Sequence, residues 1–330
     1  MADLKNRVWY EKYRPETFDD IILKDKEMIL NLFCKKDKDN KFVLDKKGKH
    51  IPTDNKIQSF LFYSMSAGTG KTSLARVIKS FLNCEMMELN GSNDTSIDTI
   101  RTDVINFCQQ LSSNKNVQKM IFFDEPDQLS SAAQKALKKI IEDHQNKVFF
   151  VFATNYIHKI NDKIKSRCVE INFKDPDVED VKKKLLFIRD TEKLDKTDEY
   201  IFEIVDLYYP DMRKMINILQ AGNMLNTKKE LMEIHDYIHE GNFNKLKEKI
   251  NEGLDVTVFV NFYLNYLKER SHKLSKHVNP EIKQKLIAEK TYKILKSLAE
   301  ISMAQGINVN IAPVFLAEVM NIHLILKGLK

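Results

Sequence analysis

Five short strand-like runs, each closed by polar or turn-forming residues, set the rhythm of the chain up to Phe173: Ile57–Tyr63, Glu85–Leu89, Lys119–Phe123, Val148–Ala153 and Val169–Phe173. Helical periodicity fills the intervals, over Ser73–Lys79, Ile97–Cys108 and a Ser-capped Ser130–Glu142. Strand and helix alternate through roughly 170 residues, so an α/β fold with a parallel sheet wrapped by helices is expected. After Lys174-Asp175-Pro176 the period changes, and apolar residues recur at helical spacing to the end. Val178–Arg189, Asp198–Leu207 and Asp211–Leu225 make a small three-helix set, followed by helices over Asn242–Ile250, Val256–Lys268, Glu281–Met303 and Ile311–Leu329. The expected domains are 1–173, 174–230 and 231–330. In the last of these His235, His239, His272, His277 and His323 lack ligand spacing and read as packing or surface residues.

Between the first run and the first helix stands Ser64-Met65-Ser66-Ala67-Gly68-Thr69-Gly70-Lys71-Thr72. A strand, a glycine-rich turn and a helix opening on Lys-Thr is the context of a phosphate-binding loop. Gly68 and Gly70 let the backbone turn its N–H groups inward, and the helix N-terminus adds positive potential. Ser66, Ala67, Thr69 and Ser73 complete the cradle, Lys71 would reach the β- and γ-phosphates of ATP, and the Thr72 hydroxyl would take a Mg²⁺ position. Met65 stands where the pattern has its first Gly, which leaves an ordinary helix-capping turn as the alternative. The run Lys119–Phe123 decides between them, because it ends in Asp124-Glu125 about 50 residues later. Asp124 would hold the metal and Glu125 would polarise the attacking water, while Asn155, at the tip of the fourth run, could position that water.

Composition narrows the class. Apolar residues are 43% and charged residues 30%, with only nine Gly and seven Pro, which favours a helix-rich chain of two or three domains. No 18-residue apolar run exists, so the chain reads as soluble, untargeted and cytoplasmic (the host cytosol if viral), with no membrane partner. Four scattered cysteines without a Cys-x-x-Cys pair fit reduced thiols and give no zinc site. A net charge of +6 permits a polyanionic partner. Eight Lys and four Asp between Lys35 and Lys56 read as an exposed loop or hairpin insertion, or else as a nucleic-acid patch. Near the N-terminus, Tyr13, Arg14 and Ile22 either anchor an arm on the core or line an adenine pocket. Ser92, Thr95 and Ser96 either simply cap a helix or, with Arg101 nearby, hold a nucleic-acid phosphate at its start.

Taken together these motifs resemble the clamp-loader ATPases of the AAA+ class, the replication factor C small subunits and the main ATPase subunit of tailed-phage loaders. The likeness runs through Trp9-Tyr10-Glu11-Lys12-Tyr13-Arg14-Pro15, Asn90-Gly91-Ser92, Asp124-Glu125-Pro126-Asp127, Ala153-Thr154-Asn155, Ser166-Arg167-Cys168 and Tyr209-Pro210-Asp211-Met212-Arg213-Lys214. The resemblance implies a pentamer of several copies and a distinct subunit, with a helical lid over 174–230 and a collar over 231–330. Arg167 would act in trans as an arginine finger, and Arg213 would be the second sensor. ATP binding would open a sliding clamp, and hydrolysis on primer–template DNA would release it closed. DNA contacts would come from Thr95, Ser96, Arg101 and Ser131, and clamp contact from Phe107. Met65, Leu23 and Lys138-Lys139 depart from the cellular pattern and point to a bacteriophage member. The alternatives are a non-hydrolysing scaffold subunit, or another AAA+ DNA motor such as a branch-migration helicase or helicase loader.

Overall fold

A computed structural model describes residues 8–92, 100–110, 118–222, 224–252, 254–255, 257–265, 293–294, 296–298, 300–301 and 311–327. The chain divides into two compact units, Met1–Val181 and Lys182–Lys330.

The first unit is built on a five-stranded, all-parallel sheet in the order β2-β3-β4-β1-β5. The strands are β1 (Phe60–Tyr63), β2 (Glu85–Asn90), β3 (Lys119–Asp124), β4 (Val148–Thr154) and β5 (Val169–Asn172). Because side chains alternate across a strand, the aromatic runs supply both faces at once. Phe60, Phe62, Phe122 and Val151 join one cluster, completed by Leu74, Ala75, Val77 and Ile78 of helix α3 (Lys71–Phe81). Leu61, Phe123, Phe150 and Phe152 join the other, completed by Leu137, Ile140 and Ile141 of α5 (Ser131–His144). Phe123 stacks on Phe152 with ring centroids 5.3 Å apart, and Phe33 of α2 (Lys26–Phe33) tilts onto Phe60 at 5.0 Å. Each such fully buried ring contributes about 1.5–3 kcal/mol.

Two local features differ from the pattern reading. The first strand begins at Phe60 and not at Ile57. Ser59 still bridges its neighbours, its carbonyl accepting from Val169 N at 2.8 Å and its hydroxyl from Phe150 N at 3.0 Å. Of the helix expected over Ile97–Cys108, residues 97–99 lie outside the described residues, and the rest is a π-helical turn at Ile100–Val104 running into α4 (Ile105–Gln109). Short elements complete this unit: α1 (Trp9–Lys12) and α6 (Asp162–Lys165).

Helix α7 (Val178–Thr191) straddles the division between the units. Among the described residues the second unit is helical: α8 (Asp198–Tyr208), α9 (Met212–Ala221), α10 (Met224–Glu240), α11 (Phe243–Asn251), α12 (257–265) and α13 (Ile311–Lys327). The helix expected over Glu281–Met303 lies outside the described residues apart from short pieces between 293 and 301. Phe259, Tyr263 and Phe315 form a fully buried aromatic group, and His235 packs there with its ring nitrogen 3.1 Å from the Tyr263 hydroxyl. Asn261 binds the end of α8 to α12, donating to Leu207 O at 3.0 Å and Tyr209 O at 2.9 Å.

Candidate functional site

The C-terminal tips of β1, β3 and β4 carry the site. After β1 the chain turns through Gly68 (φ 70°) and Gly70 (φ 95°), left-handed positions that favour glycine. Gly70 then caps α3 and delivers Lys71 in its first turn. Lys71 is buried, its ammonium donating to Asn155 Oδ1 at 2.6 Å and to Ser64 Oγ at 2.5 Å. Ser64, also buried, donates to Ser66 O at 2.6 Å and accepts from Thr69 Oγ1 at 3.0 Å, closing the loop on itself. Met65, in place of the usual first Gly, points outward and is 99% exposed, so the loop closes without a glycine there.

One residue after Lys71, the Thr72 hydroxyl donates to Asp124 Oδ2 at 3.0 Å. Burial raises the Asp124 carboxyl above its usual range, against the lowering effects of the Thr72 hydrogen bond and the Lys71 charge. This pair of hard oxygen donors suits Mg²⁺, an ion that takes one or two protein oxygens and completes its shell with water and phosphate. Among the described residues no larger His, Cys, Asp or Glu group offers a closed metal cage. Glu125 follows in a left-handed conformation (φ 54°), held by its N–H on Ala153 O at 2.9 Å. Such a backbone costs a non-glycine residue on the order of 1–3 kcal/mol and is characteristic of functional sites. Gly91 explains part of the Asn90-Gly91-Ser92 box. A Cβ there would lie 2.2 Å from Glu125 O, so the Glu125 backbone can approach only glycine this closely.

Two supporting residues escaped the sequence reading. Asp127, just past Glu125, accepts the Thr154 hydroxyl at 2.5 Å, and that hydroxyl accepts Tyr156 N at 2.8 Å, which fixes the backbone around Asn155. Gln134 is buried in α5, donating to Lys159 O at 3.2 Å and, more distantly, to Pro126 O and Leu129 O, both at 3.4 Å. Its own carbonyl accepts Asn161 N at 2.8 Å. Gln134 therefore ties the turn after Glu125 to the segment that starts α6. The signal was available: a long polar side chain one residue after Ala133 and three before Leu137, on the core-facing stripe of a helix.

Arg167, after α6, is not brought to the Lys71–Asp124 cluster of its own chain. Its guanidinium pairs with Glu142 of α5 and donates to Lys163 O at 2.5 Å and Ser166 Oγ at 3.0 Å. The hydrogen bond from Arg167 holds the Glu142 carboxyl below its usual range.

The remaining predicted residues are placed as follows. Tyr13 meets Trp9 edge-on at 6.5 Å, Arg14 pairs with Glu11 at 2.5 Å, and Ile22 is half-buried. Ser131 is exposed at the start of α5, where Ser130 is the cap, accepting Ala133 N at 3.1 Å. Phe107 is half-buried against the sheet core, with the Lys119 ammonium 4.7 Å from its ring. Thr95 and Ser96 lie outside the described residues, as does the side chain of Arg101. Arg213, in the second unit, is exposed in the first turn of α9, behind an Asp211 cap that accepts Lys214 N at 3.0 Å.

Comparison with known proteins agrees with this geometry. The model of the ATPase family associated with various cellular activities (AAA) matches residues 61–176, the span from β1 to just past β5. The replication factor C small subunit of Picrophilus torridus is 34% identical over 254 residues, 75% of this chain and 74% of that protein. That of Thermoplasma acidophilum is 30% identical over 316 residues, 91% of this chain and 93% of that protein. A solved structure of a Thermotoga maritima RuvB variant shares the fold, with a TM-score of 0.50 at 17% identity over 96% of this chain and 91% of that one. The cradle around Lys71, the Thr72–Asp124 pair and relatives of this similarity and span together show that the chain belongs to the replication factor C small-subunit family of AAA ATPases.

Proposed function

We propose that the chain is an ATP-hydrolysing subunit of a DNA-polymerase sliding-clamp loader, working on primer–template DNA beside further copies of itself and a distinct subunit in a pentamer. The observation that carries this reading is the split of the catalytic set. Lys71, Thr72, Asp124, Glu125 and Asn155 gather at three strand tips, whereas Arg167 is held elsewhere by α5. An ATPase whose finger serves a neighbour's site needs this division.

In this reading the turned backbone of Gly68–Gly70 and the N-terminus of α3 bind the phosphates, and Lys71 leaves Asn155 to pair with the outermost ones. Thr72 and Asp124 hold Mg²⁺, which when bound neutralises charge on the transferred phosphoryl group. Glu125 accepts a proton from the attacking water and Asn155 orients it. Tyr13, Arg14 and Ile22 contribute to the adenine pocket, and Arg213 senses the nucleotide from the lid. A finger supplied in trans is worth about 10³–10⁵ in rate, so hydrolysis waits for assembly. Residues 174–230 form the lid and 231–330 the oligomerisation collar. Thr95, Ser96, Arg101 and Ser131 track DNA phosphates without reading bases, and Phe107 meets the clamp. The departures at Met65, Leu23 and Lys138-Lys139 support a bacteriophage origin. Among the described residues no helix is long and apolar enough to cross a membrane.

The test is ATP hydrolysis by the purified complex with and without sliding clamp plus primed DNA, for wild type and Arg167→Ala. Joint stimulation that vanishes in the variant, with ATP binding retained, is the expected result. Stimulation by DNA alone would move the assignment to a helicase-type motor, and no hydrolysis under any condition would make the chain a scaffold subunit.

A further inference from the structure

The Lys-rich segment between α2 and β1 folds as a three-way junction of antiparallel pairings. Its stem pairs Cys34 with Pro52, a first leaf pairs Lys36 with Phe42, and a second leaf pairs Leu44 with His50. Three backbone hydrogen bonds close the junction as a ring: Lys35 N to Ile51 O at 2.8 Å, Ile51 N to Val43 O at 3.2 Å and Val43 N to Lys35 O at 2.9 Å. Behind the ring lies an eight-residue repeat, Lys35–Phe42 followed by Val43–His50.

The leaves turn by the same chemistry. Asp37 Oδ1 accepts Asp39 N and Lys41 N, both at 2.9 Å, and Asp45 Oδ1 accepts Lys47 N at 2.7 Å and Lys49 N at 2.9 Å. One residue before the closing Lys, each turn goes left-handed, at Asn40 (φ 63°) and Gly48 (φ 75°), residue types that tolerate it. The turn carboxylates are thus directed at backbone N–H groups. Lys38, Lys41, Lys46, Lys47 and Lys49 are exposed and form no ion pair among the described residues, whereas Lys35 pairs with Asp54. A merely solvated loop needs no ring-closed base and no repeated turn. Here both hold the ammonium groups on an ordered platform.

The chemistry of the platform selects its partner. Protein interfaces favour aromatic residues and Arg and are poor in Lys. This segment contains no Arg, and Leu44 is its one large hydrophobic side chain that stands exposed among the lysines. Ammonium point charges on flexible stems suit a phosphate backbone, contacted without base reading. We propose that the two leaves form a separate DNA-backbone contact at the N-terminal end of the sheet, the end opposite the phosphate-binding loop. Lys56 fixes this end, donating to Asn146 Oδ1 at 2.7 Å just ahead of β4. The inference rests on the DNA-dependent reading above for its choice of ligand.

Binding of a fluorescein-labelled primer–template duplex to the assembled complex, followed by anisotropy between about 50 and 200 mM salt, tests it. Every phosphate left without its ammonium partner lowers the log–log salt slope by about 0.9. With Lys38, Lys41, Lys46, Lys47 and Lys49 all changed to Gln, the slope should fall by about 2 or more and binding weaken by about tenfold or more. The same set changed to Arg should bind like wild type, and basal ATPase should be unchanged in both. Wild-type affinity and slope in the Gln set would overturn the proposal. So would an unchanged slope with weakened capture of the sliding clamp, which would assign the leaves to an acidic protein surface. A wild-type complex that ignores clamp and DNA in the ATPase assay would sink the clamp-loader reading, while the anisotropy comparison would still decide this one.

Discussion

Gln134→Leu separates hydrogen bonding from packing at the point where α5 joins two parts of the site. Leucine fills nearly the same volume, so no large cavity opens. What disappears is the acceptor for Asn161 N at 2.8 Å and the donor to Lys159 O at 3.2 Å, with the longer approaches to Pro126 and Leu129. A buried N–H left without a partner costs about 1–3 kcal/mol, and the second missing bond about 1 kcal/mol, so the variant should lose about 2–4 kcal/mol. For a domain of about 150–250 residues that is a fall of roughly 4–16 °C in thermal midpoint. The midpoint should be read by calorimetry or circular dichroism, alongside clamp- and DNA-stimulated hydrolysis at a temperature where the variant stays folded. Stimulated kcat should fall as well, because the freed segment leads through α6 to Arg167. Gln134→Glu keeps the acceptor for Asn161 but sets a carboxylate against the neighbouring carbonyls, so it should be worse at neutral pH and recover on acidification. A leucine variant within about 0.5 kcal/mol of wild type, with unchanged stimulated turnover, would refute the reasoning.

Arg167→Ala should leave the thermal midpoint nearly unchanged, because its partner Glu142 is exposed, and should cut assembled-complex turnover by about 10³–10⁵ with nucleotide affinity intact. Asp124→Asn should lower Mg²⁺-dependent hydrolysis about 100-fold or more without destabilising the chain. The sign follows from the raised carboxyl: the folded state binds the proton more tightly than the unfolded one, so its contribution favours folding at low pH and is lost as pH rises through the folded value. The Asn variant should therefore match or exceed wild-type stability at neutral pH. In the wild type, Mg²⁺ affinity measured by titration should weaken on acidification from above the usual carboxylate range. Burial pushes the Cys34 and Cys108 thiols up to about 11 and the Cys84 and Cys168 thiols up to about 12. Iodoacetamide at about pH 8 should leave the buried Cys34, Cys84 and Cys108 unmodified in the folded protein and modify them in urea, read by mass spectrometry; rapid native-state labelling of any of these three would contradict their burial.

The strands were legible because their aromatic runs have to be buried on both faces, and few other arrangements accept Met120–Phe123 or Val148–Phe152 as they stand. The loop around Lys71 was legible for a different reason, since Gly68 and Gly70 mark the left-handed positions directly. Hydrogen-bond geometry was less visible. The π-helical turn at Ile100–Val104 still places Ile100, Val104 and Cys108 on the core, so a four-residue apolar spacing cannot distinguish it from an ordinary helix. In the Lys35–Lys56 segment the dominant charge hides the repeat. Aligning Asp37-Lys38-Asp39-Asn40-Lys41 with Asp45-Lys46-Lys47-Gly48-Lys49 exposes two turns of one design.

Residues that carry chemistry have recognisable types and spacing; residues that hold them do not. Asp124 and Lys71 are identifiable because, in the proposed function, a metal ion calls for a carboxylate and a phosphate for an ammonium. Gln134 and Glu142 are dictated only by what lies across from them in space, and both partners come from distant sequence. Yet they stand eight residues apart on the same helix α5, turned about 80° from each other at 3.6 residues per turn, Gln134 buried and Glu142 exposed. Lys138 lies midway between them, 4.0 Å from the Glu142 carboxylate. One rigid helix therefore presents one side chain to the turn after Glu125 and another to Arg167. Neither can be displaced along the axis without carrying the other, because α5 is itself locked into the sheet by Leu137, Ile140 and Ile141. Neither Lys138 nor Lys139 is needed for that mechanical link, since Gln134 and Arg167 make its hydrogen bonds without either lysine.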